Sequence, residues 1–203
     1  MPKEFEHAFI NFNKKEIITK IKELNGIKKG TFLFKVQVLV HPLNTDGTYI
    51  RVRDEGHRIT MTYKYKGKDD VYSDEHEVNI NNFDEGVNIL LGVGCKKKYY
   101  YEKIREIWDV KNTEIVFDTN PGIDDKMEVE SKTKKELKEM IKYFNLHIGN
   151  YENRYNELFG IVIPPSIDLT FLNVKKVLLK HVKKNKKDFI KLVDSQIEKY
   201  NKL

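Results

Sequence analysis

Charged residues of a single sign recur two positions apart along the first two thirds of this 203-residue sequence. The acidic pairs are Glu4/Glu6, Glu75/Glu77 and Glu128/Glu130, the basic pairs are Arg51/Arg53 and Lys103/Arg105, and a sixth row joins Thr60, Thr62 and Lys64. In an extended strand, residues i and i+2 point to the same face, so each strand presents a row of one sign. Faces in water usually mix signs, because neighbouring like charges repel. Carboxylates suit hard metal cations, and arginine and lysine suit phosphate oxygens.

Any one of these rows is explained by an antiparallel sheet that exposes one face to water. Six such rows in one sheet are more consistent with a closed or nearly closed barrel, whose charged faces point inward and whose apolar faces lie under helices. Buried carboxylates then need cations, and buried arginine and lysine need anions. Mg²⁺ or Mn²⁺ together with a polyphosphate would satisfy both requirements.

Alternating hydrophobicity and turn residues indicate the elements that carry these rows. Strands are predicted over 4–12, 31–40, 47–56, 58–67, 73–82, 99–110, 113–119 and 126–131. Helices are predicted after Asn13, Asn82 and Thr133, each followed by a glutamate three residues later as in a capping box. Residues 151–160 are helical in character, and a long helix is expected from about Asp168. The fold class is therefore α+β, an antiparallel barrel of about eight strands with flanking helices and a helical C-terminal extension.

Composition narrows the class of protein. Hydrophobic residues make up 39% and charged residues 33% of the sequence, as in soluble globular proteins. No apolar run approaches the roughly 18 residues that span a membrane, and the first residues do not resemble a signal peptide. The single Cys95 excludes an internal disulfide and a cysteine-based zinc cluster. A cytoplasmic protein without membrane contact is expected.

The net charge of +6 is concentrated at the C-terminus. Residues 175–203 contain ten lysines and three acidic residues, a balance of 10 − 3 = +7. Such a segment either attracts polyanions, for example the 5′ end of an RNA, or forms the solvated face of a terminal helix.

The charged rows, in their order along the chain, resemble the CYTH or triphosphate tunnel metalloenzyme superfamily over residues 3–160. The family's E-x-E-x-K-F strand is similar to residues 4–9, its LRVR strand to 49–53 and its LTYK strand to 61–64. Its K-x-R-x-x-Y strand is similar to 103–108, and its closing block, which ends in E-x-E, to 117–130. Members include thiamine triphosphatases, inorganic tripolyphosphatases and class IV adenylyl cyclases. The resemblance implies a tunnel domain over residues 1–160, on which the basic helical extension 161–203 packs.

The resemblance also implies roles for individual residues. The metal ligands for Mg²⁺ or Mn²⁺ would be Glu4, Glu6, Asp118, Glu128 and Glu130. The triphosphate would be bound by Arg51, Arg53, Lys64, Lys103 and Arg105, with Glu77, or Glu75 in a shifted register, on the carboxylate side. The catalytic residues would be Glu4, Glu6, Lys103 and Arg105. One departure is Ala8, where the family has lysine; Lys35 on a neighbouring strand is a candidate replacement.

The expected activity is divalent-metal-dependent hydrolysis of an inorganic or organic triphosphate, such as tripolyphosphate, ATP or thiamine triphosphate. Conversion of ATP to cyclic AMP and pyrophosphate is the first alternative, because it would use the same charged residues. RNA 5′-triphosphatase activity is a second alternative. A polyphosphate- or nucleotide-binding module without turnover is a third, because of Ala8. The sequence leaves open whether the protein is a monomer or a homodimer.

Overall fold

Eight antiparallel strands and six α-helices make up the described part of the chain, which in this computed structural model covers residues 5–43, 48–66, 73–146, 151, 153–164 and 167–203. The strands are β1 (Phe5–Phe9), β2 (Ile27–Val40), β3 (Thr48–Asp54), β4 (Ile59–Lys66), β5 (Ser73–Ile80), β6 (Lys96–Val110), β7 (Thr113–Thr119) and β8 (Lys126–Ser131). The helices are α1 (Lys14–Glu23), α2 (Phe83–Gly92), α3 (Lys134–Phe144), α4 (Arg154–Phe159), α5 (Val174–Leu178) and α6 (Lys186–Tyr200). The predicted α+β class is confirmed.

The strands form one sheet in the order β1-β8-β7-β6-β2-β3-β4-β5. The sheet curls so strongly that all eight strands contribute side chains to a single cavity. Among the described residues, the edge strands β1 and β5 are not paired with each other. The predicted barrel is therefore a curled sheet that encloses a cavity without closing its hydrogen-bond ladder.

Strand register places rows of opposite sign side by side. On one side of the cavity, Lys64 lies opposite Glu75 and Thr62 opposite Glu77. On the other side, Arg105 lies opposite Asp118. A row of one sign on each strand is thus compatible with burial, because the neighbouring strands supply the compensating charge.

Much of the outer face of the sheet is apolar and lies beneath helices, as predicted, although Tyr63 and Val78 on this face are exposed. Helices α1 and α3 cover one half, where Ile21 and Met140 pack with Trp108, Phe117 and other residues of the outer strand faces. Helix α2 covers a smaller cluster elsewhere on the sheet. The three predicted caps are confirmed: the side-chain oxygens of the cap residues accept hydrogen bonds from the backbone N–H groups of Glu16, Glu85 and Glu136.

The expected long helix from Asp168 is wrong. Residue Leu169 instead pairs with β6, where its N–H donates to the Tyr100 carbonyl and its carbonyl accepts from the Glu102 N–H, both at 2.9 Å. The pairing of β6 with β7 ends at Ile104, which leaves this edge of β6 available to Leu169. Helices α5 and α6 follow as separate pieces, and Asn185 between them has a left-handed φ of 53° that interrupts the helix.

Helix α6 is bonded to the loop between β7 and β8 through Gln196. Its side chain accepts from the Gly122 N–H at 2.7 Å and donates to the carbonyls of Asn120 and Ile123 at 3.0 and 2.7 Å. These contacts of Gln196 join the C-terminal extension to the sheet domain. The domain boundary at residue 160 stays a prediction. No helix in the described ranges combines the length and apolarity needed to span a membrane.

Candidate active site

The concave face of the sheet encloses a polar cavity of about 450 Å³, here called the charged cavity. Its charged lining consists of seven basic residues (Arg51, Arg53, Arg58, Lys64, Lys103, Arg105 and Lys126) and seven glutamates (Glu6, Glu55, Glu75, Glu77, Glu114, Glu128 and Glu130). The formal charges of this lining balance, and each of the seven basic residues forms an ion pair with a carboxylate. An entering anion must therefore exchange with these carboxylates or arrive with cations of its own.

The floor of the charged cavity is the ring of Phe34 on β2, which is 2% exposed. Three cationic groups lie 5.5–5.7 Å from its centroid, those of Arg53, Lys103 and Arg105. These distances permit cation–π attraction. One aromatic ring thus contacts basic residues of both β3 and β6 and helps to hold them together despite their mutual repulsion.

On the β3–β5 side, glutamates hold the basic side chains in place. Arg51 donates to Glu75 at 2.8 Å, and Lys64 lies 3.0 Å from the second oxygen of Glu75. Arg53 lies 2.5 Å from Glu55 and 3.3 Å from Glu77. Burial by itself raises the pKa of Glu75, but Arg51 and Lys64 lower it more, so that it stays below its usual value. Glu75 is therefore ionised at neutral pH, and it orients Arg51 and Lys64.

On the β6–β8 side, Asp118 is completely buried and accepts from two cations. Lys103 donates to one oxygen at 2.9 Å, and Arg105 donates to both oxygens at 2.6 Å. Burial raises the pKa of Asp118, and the two cations overcome this and hold it well below its usual range. For Lys103, burial and the adjacent Arg105 lower the pKa to about 7.

Glu128 completes this side of the cavity. It accepts from Arg105 at 2.5 Å through one oxygen and from Lys126 at 2.6 Å through the other. Although burial opposes ionisation, Lys126 and Arg105 lower its pKa to about 2. Arg105 is thereby fixed between two carboxylates, with its orientation set by strands β7 and β8.

One donor in the charged cavity is unsatisfied. The Nε atom of Arg53 is buried and has no hydrogen-bond partner among the described residues. A buried donor without a partner is costly. Burial and the neighbouring Arg51 lower the pKa of Arg53. The repulsion between these two arginines favours an anion as the occupant of the cavity.

Comparison with known proteins is consistent with this geometry. The family model described as CYTH domain matches residues 40–151, more than half of the chain. The chain belongs to the CYTH family. No curated protein sequence matches it.

Several solved structures share the CYTH fold seen here. The PH1012 protein of Pyrococcus horikoshii OT3 is 18% identical with a TM-score of 0.63, over 74% of this chain and 98% of that one. A candidate adenylate cyclase from Vibrio parahaemolyticus is 17% identical with a TM-score of 0.63, over 76% and 98% of the two chains. The Hippeastrum protein HpAC1, described as having a dominant triphosphatase activity, is 15% identical with a TM-score of 0.50, over 81% and 98%. At these identities the likeness shows the fold.

The charged cavity brings together most of the residues that the CYTH resemblance singled out. Those lining it are Arg51, Arg53, Lys64, Glu77, Lys103, Arg105, Glu6, Glu128 and Glu130. Asp118 lies beneath the lining, fully buried against Lys103 and Arg105. Glu4 lies outside the described residues. The roles assigned to these residues stay predictions.

A basic residue that the strand register places close to Ala8 is one that the sequence analysis overlooked. Ala8 lies opposite Glu128 in the β1–β8 pair, and Lys126 occupies the diagonal position on the same face. The alternation rule contained this signal, since Lys126 is two residues before Glu128. The suggestion of Lys35 is wrong: it is exposed, and the adjacent Phe34 is the residue of β2 that faces the cavity. Glu55, Arg58 and Glu114 were also missed.

The carboxylates of the charged cavity have the donor chemistry of a metal site. Their all-oxygen chemistry suits a hard divalent cation. Glu6 and Glu130 are direct partners in the β1–β8 pair, where two like charges repel unless a cation lies between them. Both oxygens of Glu128 are already bonded to cationic side chains. Within the described ranges, no three acidic, histidine or cysteine side chains converge on one point. The donor type therefore fits, and strand register places Glu130 between Glu6 and Glu114.

Proposed function

We propose that this protein hydrolyses a phosphoanhydride bond of a triphosphate bound in the charged cavity, with a divalent cation as cofactor. The observation that carries the proposal is the convergence of five predicted phosphate-binding cations on one 450 Å³ cavity. A triphosphate carries several negative charges along a short chain, and few other small ligands would use so many cations at once. Members of the CYTH family, as the resemblance above implies, act on such substrates.

The basic residues divide into two groups that would bind successive phosphoryl groups. Arg51, Arg53 and Lys64 project from β3 and β4, and Lys103, Arg105 and Lys126 from β6 and β8. Arginine can form paired hydrogen bonds to phosphate oxygens, whereas lysine acts as a point charge. Because the cations are already positioned by carboxylates and by Phe34, little reorganisation is needed as charge develops on the phosphoryl oxygens during the reaction.

A divalent cation would be held by Glu6 and Glu130, with Glu4 as a further proposed ligand. When bound, such an ion polarises phosphoryl oxygens and neutralises part of their charge. The remaining carboxylates have a different task, since Asp118 and Glu128 orient Arg105. The role proposed here for Asp118 is thus positioning, in place of metal ligation.

A product assay tests the proposal. Wild-type protein is incubated with tripolyphosphate or ATP in the presence of Mg²⁺ or Mn²⁺, and released phosphate, pyrophosphate and cyclic AMP are measured. Phosphate release that is abolished by EDTA is expected. Cyclic AMP with pyrophosphate from ATP would instead establish the cyclase alternative, and tight binding without any product would establish a binding module.

Matched variants locate the activity in the charged cavity. Arg105→Met is expected to lower kcat by at least about 100-fold, the scale of losing one preorganised charge-stabilising donor. Lys97→Met on the exposed part of the same strand is the control and should retain full activity. Glu130→Gln should weaken Mn²⁺ binding measured by calorimetry as well as turnover. Normal activity in Arg105→Met would refute the assigned site.

A further inference from the structure

A second cavity, of about 390 Å³, adjoins the charged cavity and has a different character. We call it the tyrosine pocket; its lining includes Tyr99, Tyr101, Tyr151, Tyr155, Ile163 and Leu169. Aromatic and aliphatic groups predominate, in contrast to the charged cavity. Its size lies within the range of small-molecule sites in proteins.

The two cavities share a wall. Tyr101 on β6 lines both of them, two residues before Lys103. Lys126 lines the charged cavity, and its ammonium group lies 5.2 Å from the centroid of the Tyr151 ring, which lines the tyrosine pocket. The two cavities are therefore adjacent, and a molecule with an anionic end and an apolar end that spans them would pass the side chain of Tyr101.

Specific contacts hold the walls of the tyrosine pocket. The Tyr151 hydroxyl accepts a hydrogen bond from the Asn120 side chain at 2.8 Å, and the Tyr155 hydroxyl donates to the Pro121 carbonyl. Leu169 is fixed by its two backbone hydrogen bonds to β6. The rings of Tyr99 and Tyr101 are 6.1 Å apart, within aromatic contact distance. These rings are positioned before any ligand arrives.

We propose that the tyrosine pocket binds the aromatic ring of an organic triphosphate whose phosphate chain lies in the charged cavity. The proposal rests on the proposed function and deepens it, because it selects organic over inorganic triphosphates as the preferred substrates. Tyrosine faces favour flat aromatic rings by offset stacking, and the neighbouring cations account for the phosphate end. Tyr155, Ile163 and Leu169 lie beyond the residues matched by the family model, so this wall is contributed by the chain's own C-terminal segment.

Filling the pocket provides the test. Ile163 is partly buried and lines the pocket, whereas its neighbour Val162 is 69% exposed. Ile163→Trp should obstruct the pocket, and Val162→Trp adds the same ring outside it as the matched control. Values of kcat/KM are measured for ATP, UTP, thiamine triphosphate and ring-free tripolyphosphate. We expect Ile163→Trp to lower kcat/KM at least tenfold for the preferred organic substrate and less than twofold for tripolyphosphate.

A second variant tests whether the loss in Ile163→Trp comes from misfolding caused by the larger side chain. Tyr99→Ala replaces a lining residue by a smaller one, and it should produce the same selective loss. Tripolyphosphate turnover reports whether the charged cavity is intact in every variant. Equal losses for ring-bearing and ring-free substrates, or no loss in either variant, would overturn the proposal.

The outcomes separate this proposal from the proposed function. If wild-type protein cleaves tripolyphosphate and none of the three organic probes, the tyrosine pocket is not a substrate site although the proposed function stands. If no probe is cleaved, the proposed function fails. Calorimetry then measures whether the tyrosine pocket contributes to binding of an organic triphosphate. Tighter binding of an organic probe than of tripolyphosphate, lost in Ile163→Trp and kept in Val162→Trp, would support it; equal binding would refute it.

Discussion

Arg105 and Asp118 face each other across the β6–β7 pair and are joined by two hydrogen bonds of 2.6 Å. This paired geometry fixes the plane of the guanidinium group as well as its position. Asp118 has no exposed surface and also accepts from Lys103. One buried carboxylate therefore helps to orient two predicted phosphate-binding cations.

Asp118→Asn should destabilise the protein strongly. The amide keeps the shape of the side chain but leaves Lys103 and Arg105 buried beside each other without its negative charge. Loss of one partner in a buried ion pair typically costs about 3 to 5 kcal/mol in the free energy of unfolding. Urea denaturation measures this change. Asp109→Asn, at the exposed pair with Lys29, is the control and should have little effect; equal midpoints for both variants would contradict the prediction.

Lys126→Met tests a residue that the sequence analysis overlooked. Its ammonium group lies 2.6 Å from Glu128 inside the charged cavity. If it supplies the cation absent at Ala8, its removal should lower phosphate release by at least tenfold, as measured with saturating Mg²⁺. Lys132→Met, exposed just after the same strand, should behave as wild type. Unchanged turnover in Lys126→Met would remove this residue from the proposed site.

Glu75→Gln should change how stability depends on pH. The pKa of Glu75 is lower in the folded protein than in the unfolded chain, because Arg51 and Lys64 together outweigh the effect of burial. Its stabilising contribution is thus complete above the unfolded pKa of about 4.3 and is lost as pH falls toward the folded value. The free energy of unfolding of wild type should exceed that of Glu75→Gln at pH 6 to 7, and the gap should shrink between pH 5 and 3.

Denaturation of both proteins across this pH series measures the gap. Glu139→Gln on the exposed face of α3 is the matched control. A gap that stays constant from pH 7 to 3 would show that ionised Glu75 does not stabilise the fold.

Gln196→Ala tests whether the C-terminal extension is part of the sheet domain. The variant would leave the N–H of Gly122 and the carbonyls of Asn120 and Ile123 without their partner in a buried loop. A loss of at least about 2 kcal/mol in the free energy of unfolding is expected. Ser195→Ala, exposed on the same helix, should be neutral. A loss confined to local protease sensitivity of residues 161–203, with an unchanged main transition, would argue for an independent extension.

Local patterns in the sequence were sufficient to predict strands, helix starts and the rows of charged residues that share a strand face. Strand alternation predicted β7 and β8 with their observed limits, because side-chain direction in a strand depends only on position along it. Side-chain caps likewise predicted the starts of α1, α2 and α3, since each cap is a contact between residues three apart. The charged rows on the same face therefore followed from the sequence alone.

The tertiary structure decided which residues meet across the cavity. Arg105 contacts Glu128 because β7 brings β6 and β8 within reach, and Lys126 rather than Lys35 lies near Ala8 because β1 pairs with β8. The segment around Leu169 is extended rather than helical because β6 offers unpaired backbone groups beyond the end of β7. These outcomes depend on strand order and on the curl of the sheet, which arise from packing between distant parts of the chain, and periodicity along one strand carries no information about its neighbours.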